Sequence, residues 1–228
     1  MLYVVATPIG NLDDITFRAL NTLFSVDLVL CEDTRKTFTL LKHFQKEGQK
    51  IPELISYFEE NELKRIPEII FQLKLGKEIA LVTNSGMPTI SDPGFKLVRE
   101  CKKENINVVS IPGPSSPITA LSVSGLPTDK FLFLGFLSNK QSHRVKIFEN
   151  VKKSLESISS TVIFFESPFR LVKALGDLKE VFGDIDIVVC RELTKIYEEV
   201  KKEKTSKLIE EYSQKTPKGE FVVLFSLK

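Results

Sequence analysis

Carboxylates recur beside cations in short runs of this sequence: CEDTR with Glu32, Asp33 and Arg35, FFESPFR with Glu166 and Arg170, and CRELTK with Glu192 and Lys195. At or just beyond the ends of strand-like apolar runs, such groups can accept a proton from a hydroxyl or stabilise the oxyanion that forms. The same residue types also make helix caps and local ion pairs, Glu166 with Arg170 for example, so both roles stay open. A second set of positions suits an anionic ligand. Asp92-Pro93, Ser116-Pro117 and Ser167-Pro168 each follow an apolar run after a short turn. A small polar residue and then proline is a helix-start signal, because the side-chain oxygen satisfies an orphan N–H and proline has none to satisfy. At the carboxyl ends of strands in an open α/β sheet, exposed N–H groups and helix N-termini favour carboxylates and phosphates. Gly86 and Gly113 let backbone approach closely there. Singly each is a capped turn; together they point to a ligand cleft, and the run VTNSGMPTISDPG, 82 to 94, is its most elaborate loop.

Other chemistries lack their residues. There is no G-x-x-x-x-G-K-[ST] loop, TPIGN after the first strand lacks the G-x-G-x-x-G spacing, and no G-x-S-x-G elbow occurs. His43 and His143 form no metal-ligand pattern, so no metal is expected. Cys31, Cys101 and Cys190 lack paired spacing and read as small buried thiols.

The elements that must position these residues follow from periodicity. Strands are expected at LYVVAT, DLVLCE, ELISYF, EIALVT and NVVSIP, with helices near 15–25, 35–44, 66–75 and 94–104. Asp14 is the expected cap of the first helix, whose Phe17, Leu20 and Phe24 share a face; Pro67 opens or kinks the third. After SVSGLPTDK come strands at FLFLGFL, TVIFFE, DIVVCRE and EFVVLFSL, with helices near 144–156, 169–182 and 206–214. Leu171, Leu175, Leu178 and Phe182 line one helical face. Alternation of this kind predicts an α/β protein of two domains, 1–121 and 122–228, with mainly parallel sheets.

With 42% hydrophobic and 27% charged residues, the 228-residue chain can bury a core and stay soluble. A net charge of +2 does not announce a nucleic-acid binder, but SNKQSHRVKIFENVKK carries five Lys/Arg against one Glu. That run permits RNA without requiring it. No apolar run reaches the roughly 18 to 20 residues of a membrane span, and the N-terminus does not read as a secretory signal. The expected location is the cytoplasm.

In order along the chain, LYVVATPIGNLDDITFRAL, CEDTRKT, SYFEENE, NSGMPTISDPG, IPGPSSPITALSVSGLPTDKFLFLGFL, FFESPFRL, RELTK and PKGEFV resemble the blocks of the ribosomal RNA small-subunit methyltransferase I family. That family belongs to the tetrapyrrole-methylase-like class of S-adenosylmethionine enzymes. The resemblance implies two α/β domains with the methyl donor in the cleft between them, usually in a homodimer. It also implies transfer of methyl to the ribose 2′-hydroxyl of a cytidine in small-subunit ribosomal RNA, with no metal.

Carried onto this chain, the resemblance makes Pro8, Asn84, Ser85, Gly86 and Pro88 donor-binding. It adds Pro112, Gly113, Ser115 and Ala120 as a second donor segment, and Phe165, Glu166 and Lys218 as groups closing over the nucleoside. Glu32, Asp33, Glu166 and Arg170 become the candidate catalytic groups, with Glu192 and Lys195 beside them. Arg35, Lys36, Lys140 and Arg144 are the candidate phosphate contacts. The chain departs from the family pattern at Asn84, which stands where the family usually has Asp. It departs also at Phe58, Glu60 and Phe169, where histidines are common, and at Ser138 and Asn139, which lose a positive charge. Two alternatives keep the fold: a tetrapyrrole substrate, or a ribosome-assembly factor that binds RNA without catalysis.

Overall fold

The computed structural model describes residues 1–215 and 217–227, and they form two compact units, Met1–Ser115 and one starting at Ser116. The boundary expected after residue 121 falls inside a helix, Ser116–Val123, that packs with the second unit.

The first unit contains β1 (Leu2–Val5), α1 (Phe17–Ser25), β2 (Leu28–Cys31), α2 (Thr34–Phe44), β3 (Glu53–Ser56), α3 (Glu62–Lys74), β4 (Ile79–Val82), α4 (Phe95–Lys103) and β5 (Val108–Ile111). Its sheet runs in the order β3-β2-β4-β1-β5, with every pairing parallel. The three inner strands are apolar on both sides because helices cover both faces. Ala19, Leu23 and Leu41 of α1 and α2 pack with Val5, Val29 and Val82 on one face. Ile69, Leu73, Leu97 and Cys101 of α3 and α4 pack with Leu2, Leu30 and Leu81 on the other. The chain therefore leaves β1 for one face and leaves the adjacent β4 for the opposite face. That divergence opens a crevice at the carboxyl ends of these two strands, where α/β sheets take their ligands.

Several local expectations change. Thr16, not Asp14, caps α1 by accepting from the Ala19 N–H, because a short 3-10 turn at Leu12–Asp14 intervenes. The buried face of α1 is Ala19 and Leu23, while Phe17 is 89% exposed. Pro67 lies inside α3. Asp92 does not cap α4: Gly94 does, at φ 122°, where a Cβ would meet Leu81 Cδ2 at 2.5 Å.

The second unit contains α5 (Ser116–Val123), β6 (Phe131–Phe136), α6 (Gln141–Ser157), β7 (Thr161–Glu166), α7 (Leu171–Phe182), β8 (Asp186–Arg191), β9 (Glu199–Lys204), α8 (Thr205–Gln214) and β10 (Phe221–Phe225). Leu171, Leu175 and Leu178 are buried against Phe164, Val189 and Phe225, as their spacing predicts. The sheet order is β6-β7-β10-β8-β9. Here the expectation of mainly parallel pairing needs correcting. Only β6 and β7 pair parallel, whereas β10 runs antiparallel to both β7 and β8, and β9 antiparallel to β8. The cause is the β8–β9 connection, which has no helix and turns the chain back, so β9 and β10 both run against the other three. Sequence reading missed β9 because EVKKEK is charged; as an edge strand it exposes alternate residues, and its lysines discourage further pairing.

Candidate functional site

In the first unit, the loops after β1, β4 and β5 meet at the crevice. Thr7 and Gly86 exchange both backbone hydrogen bonds, at 2.9 and 3.0 Å, which joins the β1 loop to the β4 loop as an isolated antiparallel bridge. Thr7 Oγ1 also donates to the Thr83 carbonyl at 3.1 Å. Pro8 and Pro88 are buried beside this junction, and Ser85 is half-buried. From the β5 side, Gly113 approaches the β1 loop so closely that a Cβ on it would lie 2.9 Å from Ala6 Cβ. Pro112 is exposed and Ser115 half-buried. Most of the expected donor-binding positions of this unit thus lie on one sheet edge. Ala120 is fully buried in α5 of the second unit.

The start of the β4 loop is pinned by a carboxylate. Glu32 Oε2, just past the end of β2, accepts from Thr83 Oγ1 at 3.0 Å and from the Asn84 N–H at 3.2 Å. Asp92 lies against the same threonine. Its carboxyl is pushed up to about 6 by burial, with the Thr83 hydrogen bond opposing the shift and the charge of Glu32 adding to it. Asn84 Oδ1 is buried with no hydrogen-bond partner among the described residues, an unfilled acceptor at the loop's first polar position.

Asp33 proves to be a cap. Its carboxylate accepts from the Arg35 N–H at 3.0 Å and pairs in a fork with the Arg35 guanidinium, which holds it down at about 2. Arg35 and Lys36 are exposed on α2.

In the second unit, Glu166 is 1% exposed at the end of β7, on the face that α6 and α7 cover. Its Oε1 accepts from the Ser167 N–H at 2.8 Å and from Arg170 at 2.7 Å, while Oε2 is buried without a partner among the described residues. Burial raises its pKa against those two contacts. Arg170 also donates to the Leu137 carbonyl at 3.2 Å and to Asn139 Oδ1. Ser167 and Pro168 form a turn before α7, with the Ser167 carbonyl accepting from Arg170 and Leu171, instead of the cap and first helical residue expected.

Arg144 is the plainest departure from expectation. It is 3% exposed, bonded through Nε to Asp177 at 2.6 Å, and donates to the Ser138 and Asn139 carbonyls at 3.0 and 2.9 Å. Its guanidinium is consumed in holding the β6–α6 loop, so it is closed to a phosphate. Lys140, at the start of α6, is exposed. Phe165 lies between the rings of Phe133 and Phe136, with centroids 5.0 and 5.2 Å away, and Phe136 is 57% exposed. Lys218 is exposed and its carbonyl accepts from Arg191 at 2.7 Å. Glu192 takes a positive φ of 50° and accepts from Lys195 and from the Glu220 N–H, both at 2.9 Å. Positive φ at Glu192 and Thr194 in one turn is local strain held in place by the Glu192 hydrogen bonds, and no residue type in RELTK announced it. Thr83 was also missed as a site-forming polar group, and Asp92 was expected in this loop as a helix cap, not as a carboxyl against Thr83; the signal available was their place at the two ends of the glycine- and proline-rich loop.

Residues 1–209 match the model of the tetrapyrrole (corrin/porphyrin) methylases. The chain is 46% identical over 227 residues to ribosomal RNA small subunit methyltransferase I of Thermotoga maritima, covering 100% of this chain and 98% of that one. It is 45% identical to the protein of the same name from Rickettsia prowazekii, covering 99% and 78%. Among solved structures it is similar to a cobalt precorrin-4 methyltransferase of cobalamin biosynthesis, with TM-score 0.65 and 17% identity over 98% of this chain and 93% of that one. The methyltransferase CobJ gives TM-score 0.72 and 13% identity, covering 99% and 94%. The chain belongs to the tetrapyrrole methylase family and, within it, to the ribosomal RNA small-subunit methyltransferase I family.

Proposed function

We propose that this protein transfers the methyl group of S-adenosylmethionine to the ribose 2′-hydroxyl of a cytidine in small-subunit ribosomal RNA. The observation that carries the reading is the unfilled, buried acceptor Asn84 Oδ1 in a loop pinned at the crevice of the first sheet, in a chain whose relatives are named ribosomal RNA small subunit methyltransferase I. The residues fit such a donor. Its ammonium is cationic, and the crevice offers Asn84 Oδ1 as an acceptor on a main chain that Glu32 holds. Gly113 and the Thr7–Gly86 junction are the main-chain segments that would face the adenosine in this reading.

When bound, the donor supplies an electrophilic methyl carbon on sulfur, and displacement requires an oxygen in line behind it at roughly 3 Å. The chain contributes alignment and exclusion of water. Neither Asp33, spent as a cap, nor Glu166, 1% exposed with its Oε1 held by Arg170 and Ser167, is open to a hydroxyl as the fold stands. Phe165 and the exposed Phe136 offer an apolar wall for a nucleoside. Arg35, Lys36 and Lys140 are the phosphate contacts of this reading, and Arg144 is withdrawn from it. The setting is the cytoplasm, and the assembly a homodimer.

A tetrapyrrole substrate has the matching family model and the fold of distant structures in its favour, whereas relatives at 45–46% identity are named for ribosomal RNA. Mass spectrometry of ribosomal RNA from cells with and without this protein tests the reading: one ribose-methylated cytidine of the small subunit disappears with the protein. An unchanged pattern refutes it. Calorimetric titration that finds no binding of S-adenosylmethionine favours the assembly factor.

A further inference from the structure

Glu32 was a candidate base on sequence grounds, but its hydrogen bonds point elsewhere. One oxygen of its carboxylate holds the hydroxyl of Thr83 and the N–H of Asn84, the two residues at which the chain leaves β4. Because β2 and β4 are paired neighbours, with Cys31 opposite Val82, Glu32 extends their ladder by one side-chain contact into the loop. Two residues on, the loop is fixed again by the Thr7–Gly86 bridge. Asn84 is therefore clamped from both sides, and its Oδ1 is the buried acceptor that finds no partner among the described residues. A main chain held at both ends fixes the Cα–Cβ direction from which that acceptor is presented and spares the ordering cost that a mobile loop meets on binding.

We propose that Glu32 is a positioning residue for methyl-donor binding, acting through Thr83 and the main chain of Asn84 to aim the Asn84 carboxamide oxygen at the ammonium of the donor's amino-acid part. The proposal rests on the donor-binding reading above and gives Glu32 no role in proton transfer. A side chain that keeps an acceptor oxygen at Oε suffices for it, whereas a general base needs the carboxylate itself.

The test uses the full-length protein with Glu32→Gln, Glu32→Ala and Asn84→Ala, titrated calorimetrically with S-adenosylhomocysteine and with 5′-methylthioadenosine, which lacks the amino-acid part. Thermal melts verify folding. Glu32→Ala and Asn84→Ala should each weaken S-adenosylhomocysteine about tenfold, the scale of one charge-assisted hydrogen bond, and leave 5′-methylthioadenosine within about twofold. Glu32→Gln should restore most of the affinity, and kcat at saturating donor should stay near wild type with the loss confined to KM. Equal weakening of both ligands, or unchanged affinity in Glu32→Ala, overturns the assignment to Glu32. So does a Glu32→Gln enzyme that binds normally but has lost kcat. A wild-type protein that binds neither ligand instead defeats the donor-binding reading on which the proposal stands.

Discussion

Replacing either member of the Arg144–Asp177 pair decides whether Arg144 belongs to the RNA interface or to the core. The two side chains are 4% and 5% exposed and meet at 2.6 Å, so each single replacement strands a charge in low dielectric. Such a loss costs about 3–5 kcal/mol. Asp177→Ala leaves Arg144 its bonds to the Ser138 and Asn139 carbonyls, which places it near the lower end of that range. Arg144→Met also removes those two bonds, each about 1 kcal/mol net, and falls near the upper end. The double variant Arg144→Met/Asp177→Leu removes both charges and strands only the two loop carbonyls, for about 2 kcal/mol. The double variant is thus more stable than either single one, a coupling that independent surface charges cannot produce. Urea unfolding followed by far-UV circular dichroism and tyrosine fluorescence measures it, with Tyr197 and Tyr212 reporting from the second unit. Additive losses, or a cost below about 1 kcal/mol for Arg144→Met together with a flatter salt dependence of RNA binding, refute the reasoning.

Lys140→Glu, at an exposed position, should weaken RNA binding and reduce the slope of log K against log salt by about 0.7–0.9, the value for one phosphate contact, with S-adenosylhomocysteine affinity unchanged. An unaltered slope in filter-binding titrations removes Lys140 from the interface. Asp92 should titrate at about 6 by carbon-detected NMR of its carboxyl, and Asp92→Asn should remove that transition. Because the folded value is raised, the folded chain holds a proton that the unfolded chain has already released between about pH 4 and 6. Stability from this group is then largest at the acid end of that window, is lost as pH rises through it, and is flat above. Melting temperatures of Asp92→Asn that follow the wild-type profile across the window contradict the burial argument.

Much of the architecture was legible because the signals are local. Buried strands such as EIALV and FFE are apolar runs, and Leu171, Leu175 and Leu178 repeat at helical spacing, so each declares itself within a dozen residues. What went astray depended on neighbours far along the chain. Phe17 carries the apolar character of a core residue yet faces outward, since Ala19 and Leu23 are the positions that meet the sheet. EVKKEK forms a strand because β8 offers an open edge, a fact about tertiary placement.

The candidate site divides in the same way. Which loops carry the chemistry, and that they sit at strand ends, is determined by the order of apolar runs, glycines and prolines along the chain. Composition could not say which charged side chains are spent on structure. Glu32 and Asp92 lie sixty residues apart in sequence and meet at Thr83 only because β2 and β4 pair. Arg144 looks like any basic residue of a charged helix until Asp177, one helix later, takes its Nε. A charge is defined by its partner and its exposure, and both are set by folding across long separations. The sequence by itself therefore determined the class of fold, the family and the loops. Tertiary structure alone decided the direction of the second sheet's strands, the burial of Arg144, and the clamp that holds Asn84.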